Sequence, residues 1–286
     1  MKIKILSFKQ FSLGTIWLWL GIFAIIPIVI TLITSFLSHD ADNLVIFKFT
    51  ADSYAQLLNP AYCKIFVQSI YLALSCTIIC LIIGYPFAFI IARSKNRYKS
   101  LLLLLVIIPF WTSSLIRTYA IMALLKAKGL INLALLSLGI IHQPLQMLYS
   151  YAAVLIGCVY DFLPFMILPL YANIEKLNSE YIEAARDLGA NKFTTFVKII
   201  IPLTMSGIIA GSLLVFLPSM TMFYIPVLLG GAKNILLGNL IESQFLAANN
   251  WPGGAAISIV ITAMMCIFIL IYRRTSNTKE RRTLDV

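Results

Sequence analysis

The chain has 286 residues, of which 60% are hydrophobic and 12% charged, and its mean hydropathy is +0.93. Soluble globular domains carry roughly 25% charged residues, so this composition excludes a soluble domain and points to a bilayer. The net charge of +11 invites a nucleic-acid reading, which its distribution along the chain argues against.

Crossing a hydrocarbon core takes about 20 helical residues, and six apolar runs meet that length. The first, residues 13–37, follows Lys2, Lys4 and Lys9. At about 25 residues it exceeds the 7–15-residue core of a signal peptide, and no small-x-small site follows it, so a retained helix is expected. An outer loop with Asp40, Asp42 and Asp52 comes next, and its "LNP" reads as a turn before the second run, 66–92. The third and fourth runs are 100–124 and 149–172. A charged stretch at 175–202 leads to the fifth, 205–228. The last outer loop, "GGAKNILLGNLIESQFLAANNWPGGAA", has a middle that predicts a short helix or re-entrant element before the sixth run, 255–273.

Sixteen of the 22 Lys and Arg residues fall in the N-terminal tail, the 93–99 loop, the 175–198 segment and the C-terminal tail. Five lie in the alternate loops (Lys48, Lys64, Lys126, Lys128, Lys233), and Arg117 lies within a run. That bias orients six helices with both termini in the cytoplasm and leaves no case for nucleic acid. The expected fold is therefore all-α and integral to the membrane. Residues 1–65 hold the tail, first helix and outer loop, 66–273 the core, and 274–286 a cytoplasmic tail. Four of the five cysteines fall within the runs, which does not indicate a disulfide framework, and no Cys/His cluster has metal-ligand spacing. Pro27, Pro86, Pro109, Pro164, Pro169, Pro218 and Pro226 interrupt the runs. Each frees a backbone carbonyl that lipid cannot satisfy, a pattern tolerated in packed bundles and around transport cavities.

The 176–202 segment is the least apolar stretch between two spans. Asn178 or Ser179 can cap a helix there, with Glu180 in its first turn. Ile182, Ala185, Gly189, Phe193, Phe196 and Ile200 recur at three- and four-residue steps as one apolar stripe. Gly189 can supply a left-handed helix end and Asn191 a second cap. Glu183 and Asp187 stand four apart with like charge, while Ala184, Ala185 and Gly189 keep the surface low. A helix lying on lipid would carry Lys and Arg on its polar face; acids at its start favour docking on a protein.

Glu183-Ala184-Ala185, then Gly189, then Ile199-Ile200-Ile201-Pro202 resembles the cytoplasmic signature of bacterial ABC importer membrane subunits, with Ile201 in place of a leucine. The resemblance implies the type I permease fold in the bacterial inner membrane. It also implies that Glu183, Ala184, Ala185, Asp187 and Gly189 belong to a coupling helix seated on an ATPase subunit. The chain has no phosphate-binding G-x-x-x-x-G-K-[ST] loop. Catalysis and cofactor binding are thus not expected of it, and ATP-Mg would be used by the partner ATPase. The strings "PFWTSSLIRTYA", "GGAKNILLGN", "QFL" and "NWPGGAA" are similar to the B-type permeases of spermidine/putrescine importers over nearly the whole chain. That implies a homologous C-type permease, a homodimeric ATPase and a periplasmic polyamine-binding protein as partners. Sulfate, molybdate and ferric-iron permeases share the loop signature and remain the alternative.

A polycation crossing the bilayer needs carboxylates or π faces in place of water. Asp161 is the one acid inside a predicted span, roughly 18 Å from the inner end of the fourth helix. Tyr160, Trp111, Tyr119, Phe223 and Tyr224, with Glu242 in the outer loop, complete a candidate cation path. Against it, Arg117 lies at a depth only about 7 Å different, close enough to neutralise Asp161 as a structural pair. An ion-coupled carrier would have only these two charges to titrate. A membrane enzyme has little support, since His39 and His142 lie outside the spans and no nucleophile–base arrangement is evident.

Overall fold

The computed structural model describes residues 2–39, 45–231 and 235–284, with side chains described over 10–39, 45–231 and 235–270. Asp40, Asp42 and Lys233, and the side chains of the N-terminal lysines and of the C-terminal cations, lie outside the described residues. Helix α1 (Lys2–Leu20) continues through a π-helical turn (Gly21–Ile25) into α2 (Ile26–Ser35). That turn precedes Pro27, which lacks the N–H an α-helical turn would use. An antiparallel hairpin follows, β1 (Leu37–Ser38) with β2 (Ile46–Phe49), in which Leu37 faces Phe49. Then come α3 (Asp52–Leu57) and α4 (Pro60–Arg93), whose start is capped by Asn59 Oδ1 accepting from the Ala61 N–H at 3.0 Å.

Helix α5 (Asn96–Ile107) ends in a 3₁₀ turn (Ile108–Trp111), and α6 (Ser114–Leu125) and α7 (Leu130–Ser137) follow. Next are α8 (Tyr151–Glu175), α9 (Glu180–Asp187) and α10 (Lys192–Thr195), then a second π-helical turn (Phe196–Ile200) and α11 (Ile201–Leu203). The chain continues as α12 (Met205–Thr221), α13 (Tyr224–Gly230) and α14 (Leu237–Glu242), another π-helical turn (Ser243–Ala247), and α15 (Trp251–Leu284). Five described helices are long and apolar enough to cross a membrane, and a sixth is reached if the bent pair Lys192–Leu203 and Met205–Thr221 counts as one span.

Two expected spans differ from the structure. The run at 100–124 is not one helix: it breaks after Pro109, with Thr112 and Ser113 extended at ψ 147° and 132°. The apolar stretch that qualifies in this region is Ser114–Ser137 instead. The run at 205–228 likewise breaks at Met222, ψ 132°, between α12 and α13. A hydropathy window is blind to both breaks, because a residue or two, Thr112 with Ser113 or Met222 alone, change its mean too little. The middle of the last outer loop is helical, as its sequence predicts.

The chain forms two compact units, Met1–Cys63 with Leu240–Leu270, and Lys64–Asn239 with Ile271–Val286. In the first, Ser35 and Tyr54 hydroxyls meet at 2.7 Å and Phe36 stacks on Phe49, joining the end of α2 to the hairpin and α3. In the second, α8 is central. Its Val154, Cys158, Met166 and Leu170 are fully buried with Cys76 and Cys80 of α4, Val215 of α12 and Ile225 and Leu229 of α13. Helix α12 approaches α8 through Gly207 and Gly211, four residues apart. A Cβ at Gly207 would lie 2.8 Å from Asn173 Cβ, and one at Gly211 would lie 2.8 Å from Met166 Sδ. Without a hydrophobic drive between helices in lipid, this close approach supplies the packing.

Candidate functional sites

The 176–202 segment is built by local rules. Asn178 Oδ1 accepts from the Glu180 N–H at 3.1 Å, and Asn178 Nδ2 donates to Glu180 Oε2 at 2.8 Å, which fixes the start of α9. At the other end Gly189 adopts φ +80°. Its N–H donates to Arg186 O at 2.9 Å and the Ala190 N–H donates to Ala185 O at 3.0 Å, the pair of bonds that closes a helix through a left-handed residue. Asn191 then caps α10, its Oδ1 accepting from the Thr194 N–H at 2.7 Å. Glu183, Ala184, Asp187 and Gly189 are exposed, beside Leu188 at 88% and Phe193 at 76%. The predicted stripe is therefore split. Ala185 and Ile200 are buried and Ile182 and Phe196 half-buried, but Phe193 faces out because the left-handed Gly189 resets the helical phase. Ala185, expected on the docking face, is 4% exposed and packs inward.

This loop reaches the membrane helices through a bend. Pro202 follows the π-helical turn, and the axis turns by 68° at Thr204 between α11 and α12. Thr204 Oγ1 lies 2.8 Å from Tyr85 Oη on α4, and the Tyr85 ring meets Phe196 edge-on at 5.4 Å. A proline-driven kink is thus pinned from outside its own helix.

A second site lies at the two helix breaks. Arg117 Nη2 donates to Asp161 Oδ1 at 2.8 Å, and Ser114 Oγ donates to both carboxylate oxygens, 2.8 Å from each. Tyr224 Oη donates to Oδ2 at 3.2 Å and also contacts Ser114 Oγ. Ser114 begins α6 and Tyr224 begins α13, so one carboxylate on α8 ties together the helices that restart after each break. The Arg117 guanidinium lies 4.9 Å from the Phe110 ring centroid and 5.9 Å from that of Tyr160. Its Nε and Nη1 have no hydrogen-bond acceptor among the described residues, and the two aromatic rings lie within cation–π range of the guanidinium. Asp161 is 7% exposed. A buried ion pair repays its desolvation only with further hydrogen bonds, which the two hydroxyls supply.

Residues 84–281 match the family of binding-protein-dependent transport system inner membrane components. The chain belongs to this family. A spermidine/putrescine transport system permease, PotB, of Haemophilus influenzae is 48% identical over 99% of this chain and 99% of its own length. That of Escherichia coli is 48% identical over 92% of this chain and 96% of its own. A chain in the crystal structure of a bacterial ABC transporter involved in import of the acidic polysaccharide alginate shares the fold, with a TM-score of 0.74 at 17% identity, covering 97% of each chain. The type I permease fold, the multi-pass inner-membrane location and a role as a transport component rather than an enzyme follow from this membership.

Within the permease, the expected pathway residues fall into three groups. Asp161, Tyr160 and Tyr224 come together at the buried cluster, and Phe223 meets Tyr224 edge-on at 5.6 Å. Trp111, 78% exposed in the 3₁₀ turn, and the exposed Tyr119 on α6 make no ring contact with the cluster among the described residues. Glu242 ends α14, half-buried, and belongs to the other compact unit. Sequence reasoning missed Ser114 and Phe110. Their one available signal was position, on either side of a serine- and threonine-containing break after a proline, where a helix restarts.

Proposed function

We propose that this permease forms half of the membrane pathway of an ATP-driven importer for polyamines of the spermidine and putrescine class. The observation that carries the reading is 48% identity, end to end, with spermidine/putrescine permeases. A homologous second permease completes the pathway, and a periplasmic binding protein delivers the cation to the outer loops. A homodimeric ATPase binds and hydrolyses ATP-Mg while seated on the exposed face of α9, with Glu183, Ala184, Asp187 and Gly189 at the contact. With both termini cytoplasmic, α9 lies on the ATPase side. Closure of that dimer moves α9, and the Tyr85–Thr204 contact supports passage of the motion into α12. Access to the pathway alternates because each ligand favours one state. Asp161 with the faces of Tyr160 and Tyr224 has the chemistry to receive an amine that sheds water. The test is uptake of labelled spermidine into vesicles holding the assembled transporter. Uptake that requires ATP and the binding protein is expected; uptake that ignores ATP and follows a proton gradient would overturn the reading.

A further inference from the structure

We propose that the recess between the cytoplasmic end of α4 and the α9–α10 turn binds an anionic phospholipid. The recess encloses ≈ 440 Å³. Three cations from three elements converge on it: Arg93, the last residue of α4, Arg186 of α9 and Lys192, the first residue of α10. None of the three is in an ion pair among the described residues, whereas Lys99 is held by Glu175 at 3.2 Å. Glu183, the one acid in the lining, leaves a clear positive excess, and Phe89 and Phe196 give the recess apolar walls.

The depth selects a lipid. Arg93 ends a 34-residue helix that qualifies as a membrane span, so the recess opens at the level of lipid headgroups, where basic pockets between helices collect anionic heads. A phospholipid matches both parts of the lining, its phosphate meeting the cations and its glycerol and first acyl carbons meeting Phe89 and Phe196. A carboxylate from a protein partner would satisfy only the charge. Glu183 borders both the recess and the proposed ATPase contact, and the exposed Ala184, Asp187 and Leu188, outside the lining, are left for that partner.

The assembled transporter, purified in detergent, can be incubated with phosphatidylglycerol, phosphatidylcholine of matched chains, or inorganic phosphate, and retained lipid read by native mass spectrometry. Selective retention of phosphatidylglycerol is expected, weakening about fivefold for each of Arg93→Gln, Arg186→Gln and Lys192→Gln. Equal retention of the two lipids by the unmodified complex would overturn the proposal, with no variant needed. So would competition by millimolar-range inorganic phosphate, which would make the recess a simple anion site. Variants that keep phosphatidylglycerol but lose the ATPase would assign the recess to the motor interface instead.

Discussion

The 176–202 loop and the Asp161 cluster both place charge in a greasy chain, and they hold it by opposite means. In the loop, Glu183, Asp187 and Arg186 are exposed and no ion pair joins them among the described residues. The backbone there is fixed by neighbours a few residues away. In the cluster, Asp161 is buried and its hydroxyl partners stand 47 and 63 residues distant in sequence. The difference separates two kinds of importance. Charge in the loop is open to another molecule without cost to the fold, whereas charge in the cluster, whatever else it meets, holds three helices together.

That contrast is most open to attack at Asp161. Asp161→Ala leaves Arg117 buried without its counter-charge, an expected loss of about 3–5 kcal/mol, read as a fall in Tm and in folded yield. Asp161→Asn keeps the size and an acceptor for Ser114, so it separates folding from transport. If it retains the wild-type uptake rate and apparent affinity, Asp161 leaves the cation path and keeps only its structural role. In the loop, a Cβ at Gly189 would meet no atom within 4 Å, so the main penalty on Gly189→Val is φ +80°, which costs about 1–2 kcal/mol. It should insert normally yet weaken ATPase co-purification, while Gly189→Asn, tolerant of that conformation, should insert normally and keep co-purification. A comparable defect in the Asn variant would show that side-chain bulk matters there, not backbone strain. Glu183→Lys, at an exposed position, should change stability by less than about 0.5 kcal/mol while reducing ATPase association. Wild-type association would remove Glu183 from the docking face.

The same contrast explains what could be read from the sequence. The apolar runs announce themselves because a bilayer imposes length and composition together. Asn178, Gly189 and Asn191 were legible as caps because capping depends on residues within one turn. Phe193 was misplaced because a periodic stripe presumes one continuous helix, and Gly189 ends it. Arg117 and Asp161 could be paired by depth, although the depth was counted along a helix that the structure breaks at Thr112. Ser114 could not be found this way, since a serine beside a break looks the same whether or not a carboxylate waits 47 residues on.

Asn132 of α7 is fully buried, and its amide donates to Lys126 O at 3.2 Å and Leu145 O at 2.9 Å while its Oδ1 accepts from the Leu145 N–H at 2.9 Å. One side chain thereby fastens the irregular stretch between α7 and α8, where Tyr149 sits at φ +61° and its N–H donates to Leu229 O at 2.8 Å. Freezing backbone costs about 1–2 kcal/mol per residue. A protein that lands on this stretch meets a surface already shaped, so its association carries little of that ordering cost. Loosening Asn132 would show first as a slower, more temperature-sensitive encounter.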